Sequence, residues 1–238
     1  MTTAAQGDPL RHRQPPLLGP VLGSLPNLVF PGRGCAAAVA ATALMQWAKR
    51  TKRTYPGRHQ SLLPPLCLKE ACSHAAGGGN REVLEWLHNT GCPWDAETAS
   101  AAASGGHLEI LQWAREHGCL WDSRTCASAA LSGHLRVLQW AREHHCPWNW
   151  ATPALAAEGG HLTVLQWAWG NDCPWDSHVV CPSYVCVSAA KGGHLEVLQW
   201  LRENEAPDNA WNEYLVRTYA GGPRKQEVLT WLDGPSAP

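Results

Sequence analysis

The sequence predicts an all-α solenoid of paired short helices, and three observations lead to that reading. Trp86, Trp113, Trp140 and Trp167 follow one another at 27 residues, with Trp200 a further 33 and Trp231 a further 31 residues on. Around four of them the chain repeats Gly-His-Leu-x-Ile/Val-Leu-Gln-Trp, at 106–113, 133–140, 160–167 and 193–200. A second block keeps the same pace, with Cys-x-Trp-Asp/Asn at 92–95, 119–122, 146–149 and 173–176. A fixed period of this length marks a stack of supersecondary units, each too small to bury its own apolar face. It also explains why 14 Trp stand beside 4 Tyr and a single Phe: one local pattern reuses the same ring.

The chain has 238 residues, 45% hydrophobic and 16% charged, with a net charge of −1. That hydrophobic share can fill a core, which excludes wholesale disorder, and the near-zero charge lacks the electrostatic footprint of a nucleic-acid binder. The charge is divided along the chain. Residues 1–66 carry eight basic side chains and one acidic one, whereas residues 67–238 carry 11 basic and 19 acidic ones, a net −8. Residues 1–34 are rich in Pro and Gly, which breaks helices and strands, and are expected to form a disordered leader. Their Arg content and near-absence of acidic residues leave an organelle transit peptide as the alternative, but prolines interrupt the apolar run a secretory signal requires. No apolar run approaches the ~18–20 residues that span a bilayer.

Residues 35–66 are expected to hold an N-terminal capping helix and a basic linker. Ala36-Ala37 and Leu44-Met45-Gln46-Trp47 match the repeat, but Ala40-Ala41 replaces Gly-His. The array proper is expected over 67–233, with a degenerate last repeat from about 206, where Ala206-Pro207-Asp208 lacks the Cys and Trp of the turn; 234–238 is a tail. Within each unit Asp95, Asp122, Asn149 or Asp176 is placed to cap a first helix, its side-chain oxygen accepting from a free N–H of the first turn. The first helix then runs through an Ala pair (75–76, 102–103, 129–130, 156–157, 189–190) that permits close approach, and stops at Gly. The second helix begins after His and buries a broad face, in one unit Leu108, Leu111 and Ala114 with Ile110 and Trp113 beside them. Gly118 ends that helix, and Cys-Pro-Trp turns into the next unit.

The Ala-Ala-x-x-Gly-His-Leu-x-Val-Leu pattern in helix–turn–helix units resembles the ankyrin repeat, and Thr152-Pro153 is similar to that family's helix-opening Thr-Pro. The resemblance covers 67–233 firmly and 35–53 weakly. The 27-residue step is shorter than the family's 33, implying that the β-hairpin finger is reduced to the Cys-Pro-Trp-Asp turn. The step to Trp200, with 178–183 inserted, implies one longer finger. The resemblance, closest to the Trp-rich ankyrin-like chains of algae, other protists and large viruses, implies protein–protein binding by the exposed face of the first helices and the fingers.

Ten Cys and 12 His invite a zinc reading. Cys92, Cys119, Cys146 and Cys173, however, are one repeat apart, and neighbouring helices lie ~8–10 Å apart, too far for ligands at ~2.0–2.3 Å or for a disulfide between equivalent positions. They read as small buried thiols of a reducing compartment. Cys173, His178, Cys181 and Cys186 form the one local cluster of metal-ligand type, but two of them occupy ordinary repeat positions. His107, His134, His161 and His194 recur as helix starters whose ring nitrogens bond nearby backbone; catalysis would need a partnered arrangement present once, not four times. Trp86, Trp113, Trp140, Trp167 and Trp200 are assigned to the core. No phosphate loop, nucleophile elbow or zinc-protease motif is present, and no cofactor is expected.

Positions that vary between otherwise equal repeats are where function is expected. Spacings of three, four and seven residues group Glu97, Ser100 and Ser104; Arg124, Ala127 and Leu131; Ala151, Ala154 and Glu158; Tyr184, Val187 and Lys191. Side by side they form a ribbon of mixed charge with Leu131, Tyr184 and Trp150 as apolar anchors, a surface suited to a protein partner more than to a polyanion. The expected function is therefore a non-catalytic interaction scaffold or adaptor, monomeric and cytoplasmic, or within an organelle if the leader is a transit peptide. Two other readings stand beside it: an accessory repeat region of a sphingomyelinase-related family, and a nucleic-acid binder using the basic residues 49–58.

Overall fold

The computed structural model describes residues 65–89, 91–175, 184–204 and 211–234. The leader 1–34, nearly all of the 35–66 segment with its basic residues 49–58, the insertion at 178–183 and the turn at 206–208 lie outside the described residues. Within them the chain forms helices in pairs and no strand: α1 Pro65–Gly77 and α2 Arg81–Asn89, α3 Ala96–Ser104 and α4 Leu108–Glu116, α5 Ser123–Leu131 and α6 Leu135–Glu143. They continue as α7 Ala151–Glu158 and α8 Leu162–Gly170, α9 Tyr184–Gly192 and α10 Leu195–Glu203, and α11 Glu213–Tyr219 and α12 Lys225–Asp233. The first helices α1, α3, α5, α7, α9 and α11 pack on one another in succession, and each second helix lies against its own first helix. None of these helices is long and apolar enough to cross a membrane.

The stacking of first helices follows from their small side chains. Ala102, Ala103, Ala129, Ala130, Ala156, Ala157, Ala189 and Ala190 are fully buried, and such residues let backbones approach without a cavity. Three starts are capped as the sequence predicts, and the fourth cap residue, Asp176, lies outside the described residues. Asp95 Oδ1 accepts from Glu97 N at 3.0 Å, Asp122 Oδ1 from Arg124 N at 2.9 Å, and Asn149 Oδ1 from Ala151 N at 3.0 Å. The turn to the second helix needs a left-handed residue, and Gly106, Gly133, Gly160 and Gly193 supply it at φ between 72° and 77°. At Gly133 a Cβ would also lie 2.5 Å from the His161 ring, so both backbone and space demand glycine there.

The repeated histidines do more than start helices. His107 Nε2 meets Gly77 O at 3.1 Å, His134 Nε2 meets Ser104 O at 3.0 Å, and His194 Nε2 meets Glu158 O at 2.8 Å. Each imidazole thus satisfies a carbonyl at the end of the preceding unit's first helix, an orphan acceptor of the kind every helix C-terminus leaves. The bond reaches back across the stack, where the sequence suggested a local one.

The core differs from expectation in one respect. Leu84, Leu111, Leu138, Leu165 and Leu198 are completely buried, whereas of the repeated tryptophans only Trp113 is buried; Trp86, Trp140, Trp167 and Trp200 are half-buried. A leucine fits between two layers of thin helices. An indole is bulkier, and all but Trp113 lie half-buried at the edge. Trp113, Trp140 and Trp167 meet the turn of the preceding unit, and Trp94–Trp113, Trp121–Trp140 and Trp148–Trp167 pair edge to face at 5.5–5.7 Å. In the last unit Trp211 pairs with Trp231 in the same way at 5.8 Å. Trp211 thus takes the place of the turn tryptophan that 206–208 lacks.

Candidate functional site

The ribbon expected from helix periodicity is divided by the structure into two exposed rows and a buried seam. Glu97, Arg124 and Tyr184 are exposed near the starts of α3, α5 and α9, and Ser104, Leu131, Glu158 and Lys191 are exposed at the ends of α3, α5, α7 and α9. The residues between them do not belong to the surface. Ala127, Ala154 and Val187, placed on the ribbon by the i, i+3, i+7 pattern, are buried, because the i+3 step there points sideways into the next stacked helix. Ser100, in the same register, is half-buried.

In α3, α5 and α7 the residue one position later occupies the middle of the face, whereas in α9 Ser188 in that register is buried. Ala101, Ser128 and Leu155 are partly exposed there, and Ser128 was missed because the i+4 step was not used in that register. Helices α3 and α5 meet 28 residues apart, not 27: the Ser100 and Ser128 hydroxyls lie 2.7 Å apart and those of Ser104 and Ser132 3.1 Å apart. The one-residue offset is a property of packing and leaves no trace in the period of the sequence.

Charge on the face is locally compensated. Arg124 is bound by its own cap residue, with Nη2 2.8 Å from Asp122 Oδ2, and stands 4.0 Å from Glu97 of the preceding unit. The Arg124 side chain holds the Asp122 carboxyl below the usual carboxylate range, partial burial opposing it. Toward the other end the chemistry becomes aromatic. Trp150, half-buried at the start of α7, meets Tyr184 edge to face at 5.4 Å, and the Lys191 ammonium lies 6.0 Å from the Tyr184 ring and 5.4 Å from that of Tyr219. Tyr219, exposed at the end of α11, extends the face by one unit; its register with Lys191 is hidden in the sequence by the degenerate turn.

The edge formed by turns and second-helix ends is a ladder of rings. His88 stacks on Trp94 at 4.2 Å, Trp94 meets Trp113, and His117 lies 4.4 Å from Trp113. Arg115 and Arg142 lie 4.2 Å over Trp121 and Trp148, and Arg115 Nη1 also donates to Cys119 O at 2.6 Å. These contacts knit each unit to the next.

The cysteines of the turns are bound into the repeat. The Cys119, Cys146 and Cys173 thiols donate to the carbonyls of the cap residues Asp95, Asp122 and Asn149 at 3.3, 3.5 and 3.8 Å. Burial pushes the Cys119 thiol up to about 11 and those of Cys173 and Cys186 up to about 12. Of the cluster Cys173, His178, Cys181 and Cys186, the first and last are buried, and His178 and Cys181 lie outside the described residues. Among the described residues no group of three or more His, Cys, Asp or Glu is arranged to hold a metal ion.

No family model and no curated protein matches the sequence. Among solved structures the chain is similar to the human ASB11 ankyrin repeat domain, at 15% identity and a TM-score of 0.46, over 70% of this chain and 99% of that one. It is also similar to the pentatricopeptide repeat protein PPR10, solved in complex with an 18-nucleotide psaJ RNA element, at 16% identity and a TM-score of 0.44. For PPR10 from maize alone the values are 16% and 0.40. The chain spans about a third of PPR10, covering 33% and 34% of those two chains. The described residues form a helical repeat solenoid, as their paired helices, glycine turns and histidine bridges show directly.

Proposed function

We propose that the chain is a non-catalytic scaffold that binds a protein partner on the exposed face of its stacked first helices. The observation that supports this reading most is the pair of exposed rows, which changes chemistry from unit to unit while the packing beneath them is constant. Glu97, Arg124, Glu158 and Lys191 give both signs of charge, and Leu131 and Tyr184, exposed by 39% and 37%, give apolar anchors beside them. Such a mixture with an aromatic anchor fits a folded protein or a peptide. The mechanism is rigid presentation: buried Ala pairs and the histidine bridges hold the rows in place, so little backbone freedom is lost on binding.

The test is affinity capture with the full chain and with a Glu97→Ala, Arg124→Ala, Leu131→Ala, Glu158→Ala, Tyr184→Ala variant, circular dichroism confirming equal helicity. A partner held by the wild type and lost from the variant supports the reading. A partner retained by the variant moves the site to the turns or to residues 1–64. A nucleic acid bound through the basic residues 49–58 would instead be released between low and moderate salt, as phosphate contacts are, and would be unaffected by the five substitutions.

A further inference from the structure

Two pairs of cysteines occupy one register within the repeats. Cys72 of α1 and Cys92, in the turn after α2, are 20 residues apart, and their sulfurs lie 3.1 Å from each other in the core. Two units on, the same positions hold Cys126 of α5 and Cys146 of the turn after α6, both fully buried. Elsewhere the register holds one sulfur only: Cys119 is matched by Ala99 and Cys173 by Pro153. The distance argument against bridges between equivalent positions of successive units does not touch these pairs, which join unlike positions of one unit.

We propose that Cys72–Cys92 and Cys126–Cys146 are oxidisable dithiols that a peroxide converts into disulfides, each tying a first helix to the turn that closes its own repeat. A sulfur–sulfur bond is ~2.05 Å long, so closing Cys72–Cys92 needs an approach of ~1 Å, within the reach of side-chain rotation. Cys92 is the sulfur an oxidant meets first, being 6% exposed against 0% for Cys72. The Cys72 thiol donates to it, which favours the Cys92 thiolate, the nucleophilic form.

The Cys92 thiolate attacks one peroxide oxygen, the O–O bond breaks, and the departing hydroxide takes up a proton and leaves as water, giving a sulfenic acid. The Cys72 sulfur, losing its proton, then attacks the Cys92 sulfur; the S–O bond breaks and a second water leaves. Two thiols lose two protons and two electrons, and one peroxide becomes two waters. Cys126 and Cys146 are both fully buried, so their bridge waits for local opening of the unit and forms more slowly.

The test uses the full chain, reduced and then exposed to hydrogen peroxide, with remaining thiols alkylated after denaturation and bridges mapped by peptide mass. The expected result is a Cys72–Cys92 peptide first and a Cys126–Cys146 peptide later, each lighter by two hydrogens, with Cys119, Cys173 and Cys186 recovered as alkylated thiols. Because a bridge restricts the unfolded chain, the oxidised protein should melt higher by ~5 °C or more. In Cys72→Ala, a residue the fold already accepts at position 99, the first bridge and its share of the shift should vanish while the second remains. Cys92 overoxidised without a Cys72–Cys92 peptide, either sulfur bridged to Cys35, Cys67 or Cys181 instead, or an oxidised chain melting no higher, would each overturn the proposal.

Discussion

At the residue scale the repeats act as parallel trials of one position. Thr98, Thr125 and Thr152 recur at 27 residues with fully buried hydroxyls that have no hydrogen-bond partner, and the fourth unit has Val185 in that register, 1% exposed. A buried hydroxyl left unbonded is destabilising relative to a methyl of the same shape. Thr125→Val should therefore raise unfolding stability by about 0.5–1.5 kcal/mol, read as a higher urea midpoint at unchanged slope; a lower midpoint would mean the hydroxyl is bonded after all. The layered core makes a second contrast. Leu138→Ala should cost about 2–5 kcal/mol as a full core truncation, while Trp140→Ala, at the half-buried edge, should cost less than the ~3–5 kcal/mol of a fully buried indole. Equal or reversed losses in the two variants would return Trp140 to the core.

At the element scale the caps explain why helices as short as eight or nine residues persist, since helices of this length are marginal in water without packing and satisfied ends. Asp122 serves α5 twice, accepting from the Arg124 N–H and pairing with its guanidinium. Its carboxyl is held low by Arg124, so its stabilising contribution is complete above the unfolded Asp value of ~3.9 and fades as pH falls through the lower folded value. Asp122→Ala should cost about 1 kcal/mol near neutral pH. Asp122→Asn should keep most of the cap but flatten the fall of stability in acid; a wild type and Asp122→Asn with the same acid profile would show that the pair contributes nothing there. The capping aspartates were legible in the sequence because a cap is a local contact between residues two apart. The His bridges were legible only as recurrence, since their partners lie 30 to 36 residues away.

At the scale of the whole molecule each unit touches only its neighbours, so stability is a sum of unit and interface contributions. The central helices α3 to α8 have a packed unit on both sides. The last pair is different: α11 is seven residues long, with Tyr214 75% exposed, and its end is tied to α12 through Arg217, whose guanidinium bridges Glu213 and Asp233 at 3.1 and 2.6 Å. Amide exchange should accordingly be slowest in α3, α5 and α7 and faster in α11 and α12. Uniform protection along the array would argue for a single cooperative unit instead.

The period, the helix pairs, the caps, the glycine turns and the structural use of histidine were determined by the sequence alone, because each rests on local geometry that repeats at a fixed interval. What only the tertiary structure decided is lateral. Lateral packing of the first helices buried Ala127, Ala154 and Val187 and set Ser128 beside Ser100, 28 residues away; the thinness of the two-layer core sent most of the tryptophans to its edge; and the fold of a single unit set Cys72 beside Cys92. Sequence periodicity fixes where a side chain points on its own helix. The angle and offset at which that helix meets the next follow from the volumes packed between them, and those become known only when the helices are stacked.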